Sequence, residues 1–203
     1  VFVRMTLVTG LRLGEVVGLR WCDIDFYTNM LHVNQTLNRL QRYDDDEADS
    51  KTEIVTQTPK SQNSIRSIPM LPDLVMDLQN WRTVQMQDAA ALGTAYFDSG
   101  LIATQENGLY VEPRLMREYY QKMLATANLP NYNFHALLHT FATRAMEQGM
   151  DAKTLSILLG HYSVGFTLDT YAHVLTDQKW TAMQTMANMY NREPPLRQPI
   201  QFF

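Results

Sequence analysis

The chain has 203 residues, 45% of them apolar, which suits one globular domain with an appendage and a buried core. A single cysteine, Cys22, excludes an internal disulfide framework and fits a reducing cytoplasm, and no apolar run is long enough to span a membrane. The net charge of −4 speaks against a nucleic-acid partner only until it is mapped: residues 44–53 and 73–112 each carry −5, while 1–43, 54–72 and 113–153 each carry +2, so the basic side chains are free to share one surface.

Residues 1–20 read as a helix interrupted at "TGLRLGE". They begin without an initiator Met, already inside an amphipathic pattern, as expected of a fragment whose N-terminal partner domain is missing. "CDIDF" and "MLHVNQT" alternate around "YTN" and predict a hairpin. The acidic tract 44–53 has no periodicity and predicts the tip of a long loop. "EIVTQT" and "SIRSIPM" flank "PKSQN" and predict a second hairpin. Asp73 is the expected N-cap of a helix running from Leu74 to Ala91. "LIATQENGLYV" carries a turn at Asn107-Gly108, and Pro113 is expected at the first position of the helix "PRLMREYYQKMLATAN". A helix bearing His135 and His139 follows, then "DAKTLSILLG" capped by Gly160, "VGFTLDTYAHVL", and a last helix, "DQKWTAMQTMANMYN". There are no internal repeats. The predicted class is α+β, mostly α-helical, with a small antiparallel sheet inserted among helices.

Arg12, Lys60, His135, His161 and Tyr171 have a chemistry in common. An arginine, a lysine, imidazoles and a phenol are what a protein needs to attack a phosphodiester without a metal. The phenol is the nucleophile, arginine neutralises the non-bridging oxygens, and lysine or histidine protonates the leaving oxygen. Each residue also has a plainer reading. Tyr171 is one of ten tyrosines, Arg12 suits a helix-end surface charge, and Lys60 suits a solvated turn. His135 and His139, four apart, are spaced as zinc ligands, but Ala136 stands where a His-Glu-x-x-His site has its glutamate, and no third ligand is evident. His139 reads better as a structural histidine that satisfies buried polar groups. Arg114, Arg117 and Lys122 either line a DNA groove or form a solvated face, and Arg66 is a further candidate for a phosphate contact.

"TGLRLGEVVGLRWCDIDF", "TPKSQNSIRSIPM", "FHALLHTFATR" and "LLGHYSVGFTLDTYAHV" resemble, in order and spacing, the sequence boxes of tyrosine recombinases, the phage and transposon integrase family. The likeness is greatest to integrases of conjugative transposons of Gram-positive bacteria. It implies a tyrosine recombinase catalytic domain over residues 1–175. Residues 176–203 would form a C-terminal helix and tail, with Trp180, Met183, Met186, Ala187 and Tyr190 either packed on their own domain or docked on a neighbouring protomer. The resemblance makes Arg12 the first phosphate-clamping arginine, with Glu15 its structural partner. It makes Lys60 the general acid for the leaving 5′-hydroxyl, sets His135 against the scissile phosphate, and has His161 donate to a phosphate oxygen. Tyr171 would attack to give a 3′-phosphotyrosine. The bond energy is held in that link, so the resemblance implies no ATP, metal or other cofactor. The partners it implies are double-stranded DNA, further protomers in dimers or tetramers on that DNA, and an accessory excision factor, all in the bacterial cytoplasm.

One position departs from the family pattern. His-x-x-Arg-His has a second arginine where this chain has Leu138. Three residues on from His135, Leu138 is expected on the same helix face and therefore towards the phosphate. Losing one preorganised donor costs roughly 3–4 kcal/mol of transition-state stabilisation. Losing a bidentate arginine costs more. Arg144, six residues on, points to a different side. The expectation is a chain that binds DNA and cleaves it poorly or not at all. The competing readings are a catalytically inactive DNA-binding or assembly module of the same fold, a type IB topoisomerase acting without a defined site, and a metal-dependent hydrolase that chelators would stop.

Overall fold

A computed structural model describes residues 1–41, 52–58, 64–171 and 183–187. Helices α1 (Phe2–Thr9) and α2 (Leu13–Gly18) are the two halves of the interrupted helix. They part at Gly10, whose φ of 69° gives α1 a left-handed cap while its N–H donates to the Thr6 carbonyl. A Cβ at Gly10 would lie 2.6 Å from Leu159 and 2.7 Å from Phe141, so this turn is pressed against helices that arrive much later in the chain.

Strands β1 (Ile24–Asp25) and β2 (Met30–Val33) form the first predicted hairpin, with Ile24 opposite Leu31. The Asp25 carboxylate holds its turn by accepting from the N–H groups of Tyr27 and Thr28. The second predicted hairpin does not form. Strand β4 (Thr52–Gln57) pairs back on β3 (Thr36–Gln41), and β5 (Arg66–Pro69) pairs with β2. Two small antiparallel sheets result, ordered β1-β2-β5 and β3-β4. The cause lies at Asn34-Gln35, where "MLHVNQT" divides between them. The Gln35 amide donates to the Gly18 carbonyl at 2.7 Å, and β3 runs so close to α2 that a Cβ on Gly18 would lie 2.8 Å from the Leu37 nitrogen. The predicted acidic loop tip falls largely on residues outside the described ones.

Helix α3 (Pro72–Leu92) starts earlier than predicted. Pro72 opens its first turn after Leu71, which puts Asp73 inside the turn instead of at the cap. Its carboxylate still complements the helix dipole there. Pro113 opens α4 (Pro113–Thr126) as expected. Helices α5 (His135–Glu147), α6 (Ala152–Leu159) and α7 (Val164–Thr170) complete the described fold. Asp151 caps α6 by accepting from the N–H groups of Lys153 and Thr154, and Gly160 closes it at φ 62°. Residues 183–187 are helical; Trp180 and Tyr190, expected on the same helix, lie outside the described residues. The class is mostly helical with small antiparallel sheets. No helix among the described residues is long and apolar enough to cross a membrane.

Three apolar cores hold these elements, and adjacent residues on two helices split between them. On α2, Val16 joins Leu31, Ile68 and Leu74, while Val17 joins Leu37, Met116 and Phe134. On α5, Leu137 enters that second core, and Leu138 enters a third with Ala142, Met146, Leu155, Leu159 and Tyr171. Burying a leucine is worth about 1.5–3 kcal/mol, so the starts of α2 and α5 are fixed from both sides. Both carry the residues of interest.

Candidate active site

Arg12 is the N-cap residue of α2, and its extended backbone lets its N–H donate to Glu15 Oε2 at 2.8 Å. Its guanidinium donates to Glu15 Oε1 at 3.2 Å and to the Gly160 carbonyl at 3.5 Å. Glu15 is only 1% exposed, and a second arginine meets it from β5. Arg66 forks onto both of its oxygens, Nη1 to Oε1 at 2.8 Å and Nη2 to Oε2 at 2.9 Å. Burial pushes the Glu15 carboxyl up, but the hydrogen bonds and charge of Arg66, with those of Arg12, hold it below the usual carboxylate range.

Arg66 therefore differs from its expected place on DNA. Its side chain is 3% exposed, and its Nε donates to the Leu158 carbonyl. It ties β5, α2 and the end of α6 together. Four of its five N–H donors are engaged inside the protein, on Leu158, Ser64 and both Glu15 oxygens, which leaves little of it for a phosphate.

The histidines gather from two elements. His135 and His139 stand one turn apart on α5, open to solvent, with ring centroids at 4.7 Å. His161 follows Gly160, and its Nδ1 lies 2.7 Å from Thr167 Oγ1. Burial, then the charges of Arg12 and Arg66 and of the other two histidines, push His161 down to about 4. Burial, His139 and Arg12 also lower His135. Arg12, His135, His139 and His161 therefore share one electrostatic field, and His161 is neutral at neutral pH.

Tyr171 ends α7 and is 2% exposed, and burial raises its phenol above the ordinary value. Its hydroxyl lies 3.0 Å from His139 Nδ1. His139 is exposed on α5 and reaches the buried phenol, the contact expected of a histidine that satisfies a buried polar group. Its four-residue offset from His135 was the available sequence signal. Nothing local links it to a tyrosine 32 residues away, nor His161 to Thr167.

Leu138 does not share the open side of His135. It is 2% exposed and belongs to the same core as Tyr171. An offset of three residues is about 60° short of a full helical turn, which here is the difference between solvent and core. Arg144 sits near the far end of α5, bonded to Glu147 at 2.7 Å. Arg114 is exposed and paired with Glu118 on its own helix. Arg117 and Lys122 are exposed on α4. Lys60 lies outside the described residues. Among the described residues, no group of three or more His, Cys, Asp or Glu side chains is arranged to hold a metal ion.

A cavity of about 530 Å³ opens in front of His135, bounded by Arg12, Arg117, Gln121, Asn131 and Asn133. A larger one, about 670 Å³, lies by Trp81, Asp88, Glu106 and Tyr119 and includes none of the residues above. Chemistry, not volume, selects the first: it brings two guanidiniums and an imidazole to one space, as an anionic substrate requires.

The chain is 35% identical over 185 residues to a "tyrosine recombinase XerC-like" protein of Caldanaerobacter subterraneus subsp. tengcongensis, covering 90% of this chain and 47% of that one. It is 25% identical over 193 residues to the transposase of transposon Tn916 from Enterococcus faecalis, covering 91% of this chain and 44% of that one. The chain thus spans about half the length of these relatives. Its fold is similar to the Tn1549 transposon integrase solved in complex with circular intermediate DNA, at a TM-score of 0.71 and 25% identity, over 91% of this chain and 58% of that one. The catalytic domain of bacteriophage HP1 integrase shares the fold at a TM-score of 0.52 and 19% identity, over 98% of this chain and 84% of that one. Since the model of the phage integrase family also matches residues 1–178, which carry α1 to α7 and the side chains of the site, the chain belongs to the phage integrase family of tyrosine recombinases.

Proposed function

We propose that this chain breaks and rejoins DNA in the site-specific integration of a mobile element, through a 3′-phosphotyrosine. The observation that carries the reading is the Tyr171 hydroxyl 3.0 Å from His139, beside Arg12, His135 and His161. Tyr171 Oη attacks the scissile phosphorus and its proton passes to His139, which requires the tautomer with a bare Nδ1. The P–Oη bond forms as the bond to the 5′-oxygen breaks, and Lys60 supplies the proton that oxygen needs. Arg12, His135 and His161 bear on the non-bridging oxygens as negative charge builds. A 5′-hydroxyl from a second strand then reverses the attack and frees the phenol. Double-stranded DNA is the substrate, several protomers assemble on it, and an accessory factor directs excision. The DNA named with the Tn1549 integrase and the transposon origin of the Tn916 relative support this reading.

Leu138 leaves the site one guanidinium short, so cleavage is slow. The test is a nicked suicide duplex carrying the ends of the element, with adducts read on a denaturing gel. The unmodified chain should form an adduct, Leu138→Arg should form it about a hundredfold faster, and Tyr171→Phe should abolish it in both. The second reading, an inactive DNA-binding module, rests on the burial of both Leu138 and Tyr171. It holds if Leu138→Arg forms the adduct and the unmodified chain forms none. No Tyr171-dependent adduct from either chain would sink the phosphotyrosine reading.

A further inference from the structure

The site lacks a guanidinium at position 138, yet the cavity in front of His135 contains one that no other group among the described residues uses. Arg117 lines this cavity together with Arg12 and His135, and no carboxylate lines it. No hydrogen bond or ion pair within the described residues occupies Arg117. The other arginines near the site are spent: Arg66 on Glu15, Arg144 on Glu147 and Arg114 on Glu118.

The wall that presents Arg117 is fixed. Met116, Tyr120 and Leu124 seat α4 in the second core, four residues apart and on one face. Arg39 from β3 grips Glu112 at the start of α4 at 2.6 Å. Gln121, one turn on from Arg117, donates to the Tyr132 carbonyl at 2.8 Å and binds α4 to the segment that leads into His135. The cavity therefore brings together the guanidinium of Arg12 from the cap of α2, that of Arg117 from α4 and the His135 imidazole, around about 530 Å³. A phosphodiester oxygen is what such a pair of planar donors fits.

We infer that Arg117 is the second guanidinium on the scissile phosphate, reaching it from α4, opposite Arg12, in place of the one missing from position 138. This rests on the phosphotyrosine reading. The side chain is exposed and must be ordered by the substrate, so it offsets only part of the loss at Leu138. It works by charge, because what it faces is a non-bridging oxygen.

The experiment uses the whole chain under single-turnover conditions at saturating DNA, with two suicide duplexes. One carries an ordinary scissile phosphate. In the other, a methylphosphonate replaces one charged non-bridging oxygen with a methyl group. Arg117→Ala should slow adduct formation on the phosphate duplex by roughly tenfold to a hundredfold. It should leave the rate on the methylphosphonate duplex unchanged, because the charge it would neutralise is gone. Arg144→Ala, the same change in net charge, should run at the parent rate on both. Parent-rate cleavage of the phosphate duplex by Arg117→Ala overturns the inference, as does equal slowing on both duplexes, which would mark a role in seating DNA. If only Leu138→Arg forms an adduct, Arg117 offsets nothing and the inference falls while the phosphotyrosine chemistry stands. If neither chain forms one, both fall.

Discussion

Glu15 holds two arginines that do different work. It orients Arg12 at the mouth of the cavity and neutralises Arg66 in the interior. Breaking a buried ion pair from one side leaves the other charge stranded, at a cost of about 3–5 kcal/mol. Glu15→Gln should therefore lower the urea midpoint by that equivalent, and adding Arg66→Met should recover much of it. A chain whose double variant is no more stable than Glu15→Gln would show that the pair is not what the site depends on. At this scale the sequence singled out Arg12, His135 and Tyr171 as candidates through motifs, and their roles rest on the proposed function. The sequence was not legible where the partner is remote. Arg66 read as a candidate for a phosphate contact because Glu15 lies 51 residues earlier, and only tertiary folding brings the two together. Leu138 could be identified as the departure, but not its burial, because a three-residue offset leaves the helix face ambiguous at the edge of a core.

Among the elements, helices and the first hairpin were readable, and the partners of β4 and β5 were not. Pro113, Asp151 and Gly160 mark helix ends by local chemistry that acts within a turn. The strands at Thr52–Gln57 and Arg66–Pro69 alternate correctly, but alternation says which face is buried, not which strand lies alongside. The deciding contact is between Gly18 and β3. Gly18→Ala would set a Cβ 2.8 Å from the Leu37 nitrogen and 3.1 Å from the Thr36 carbonyl carbon, both backbone and unable to rotate away. The variant should lose about 1–3 kcal/mol of stability. Hydrogen exchange should rise first in β3 and β4, and a uniform rise across all strands would refute this account of how the sheet divides.

For the whole molecule, acid is destabilising in two stages. His161 titrates near 6.5 when unfolded and at about 4 when folded, so its neutral form is the one the fold accepts. Protons bind the unfolded chain first. Stability is therefore full above about pH 6.5 and falls as pH drops towards about 4. Glu15, held below its ordinary 4.5, adds a second loss as pH falls through its lowered value. Urea midpoints measured across this range should decline from about pH 6.5, with His135, also lowered, adding to the upper stage, and His161→Asn should shrink that stage and leave the lower one; a midpoint as pH-dependent in that variant as in the parent would count against the assignment. The same whole-molecule view gives meaning to the depth of Tyr171. Its phenol is 2% exposed while those of Tyr27 and Tyr162 stand almost bare, at 96% and 87%. On the proposed chemistry the attacking oxygen is the sheathed one, so DNA met in passing finds no nucleophile at the surface. Attack by Tyr171 then requires the core around it to open first. Restraint of this kind is a form of fidelity: brief encounters end before the blade is out.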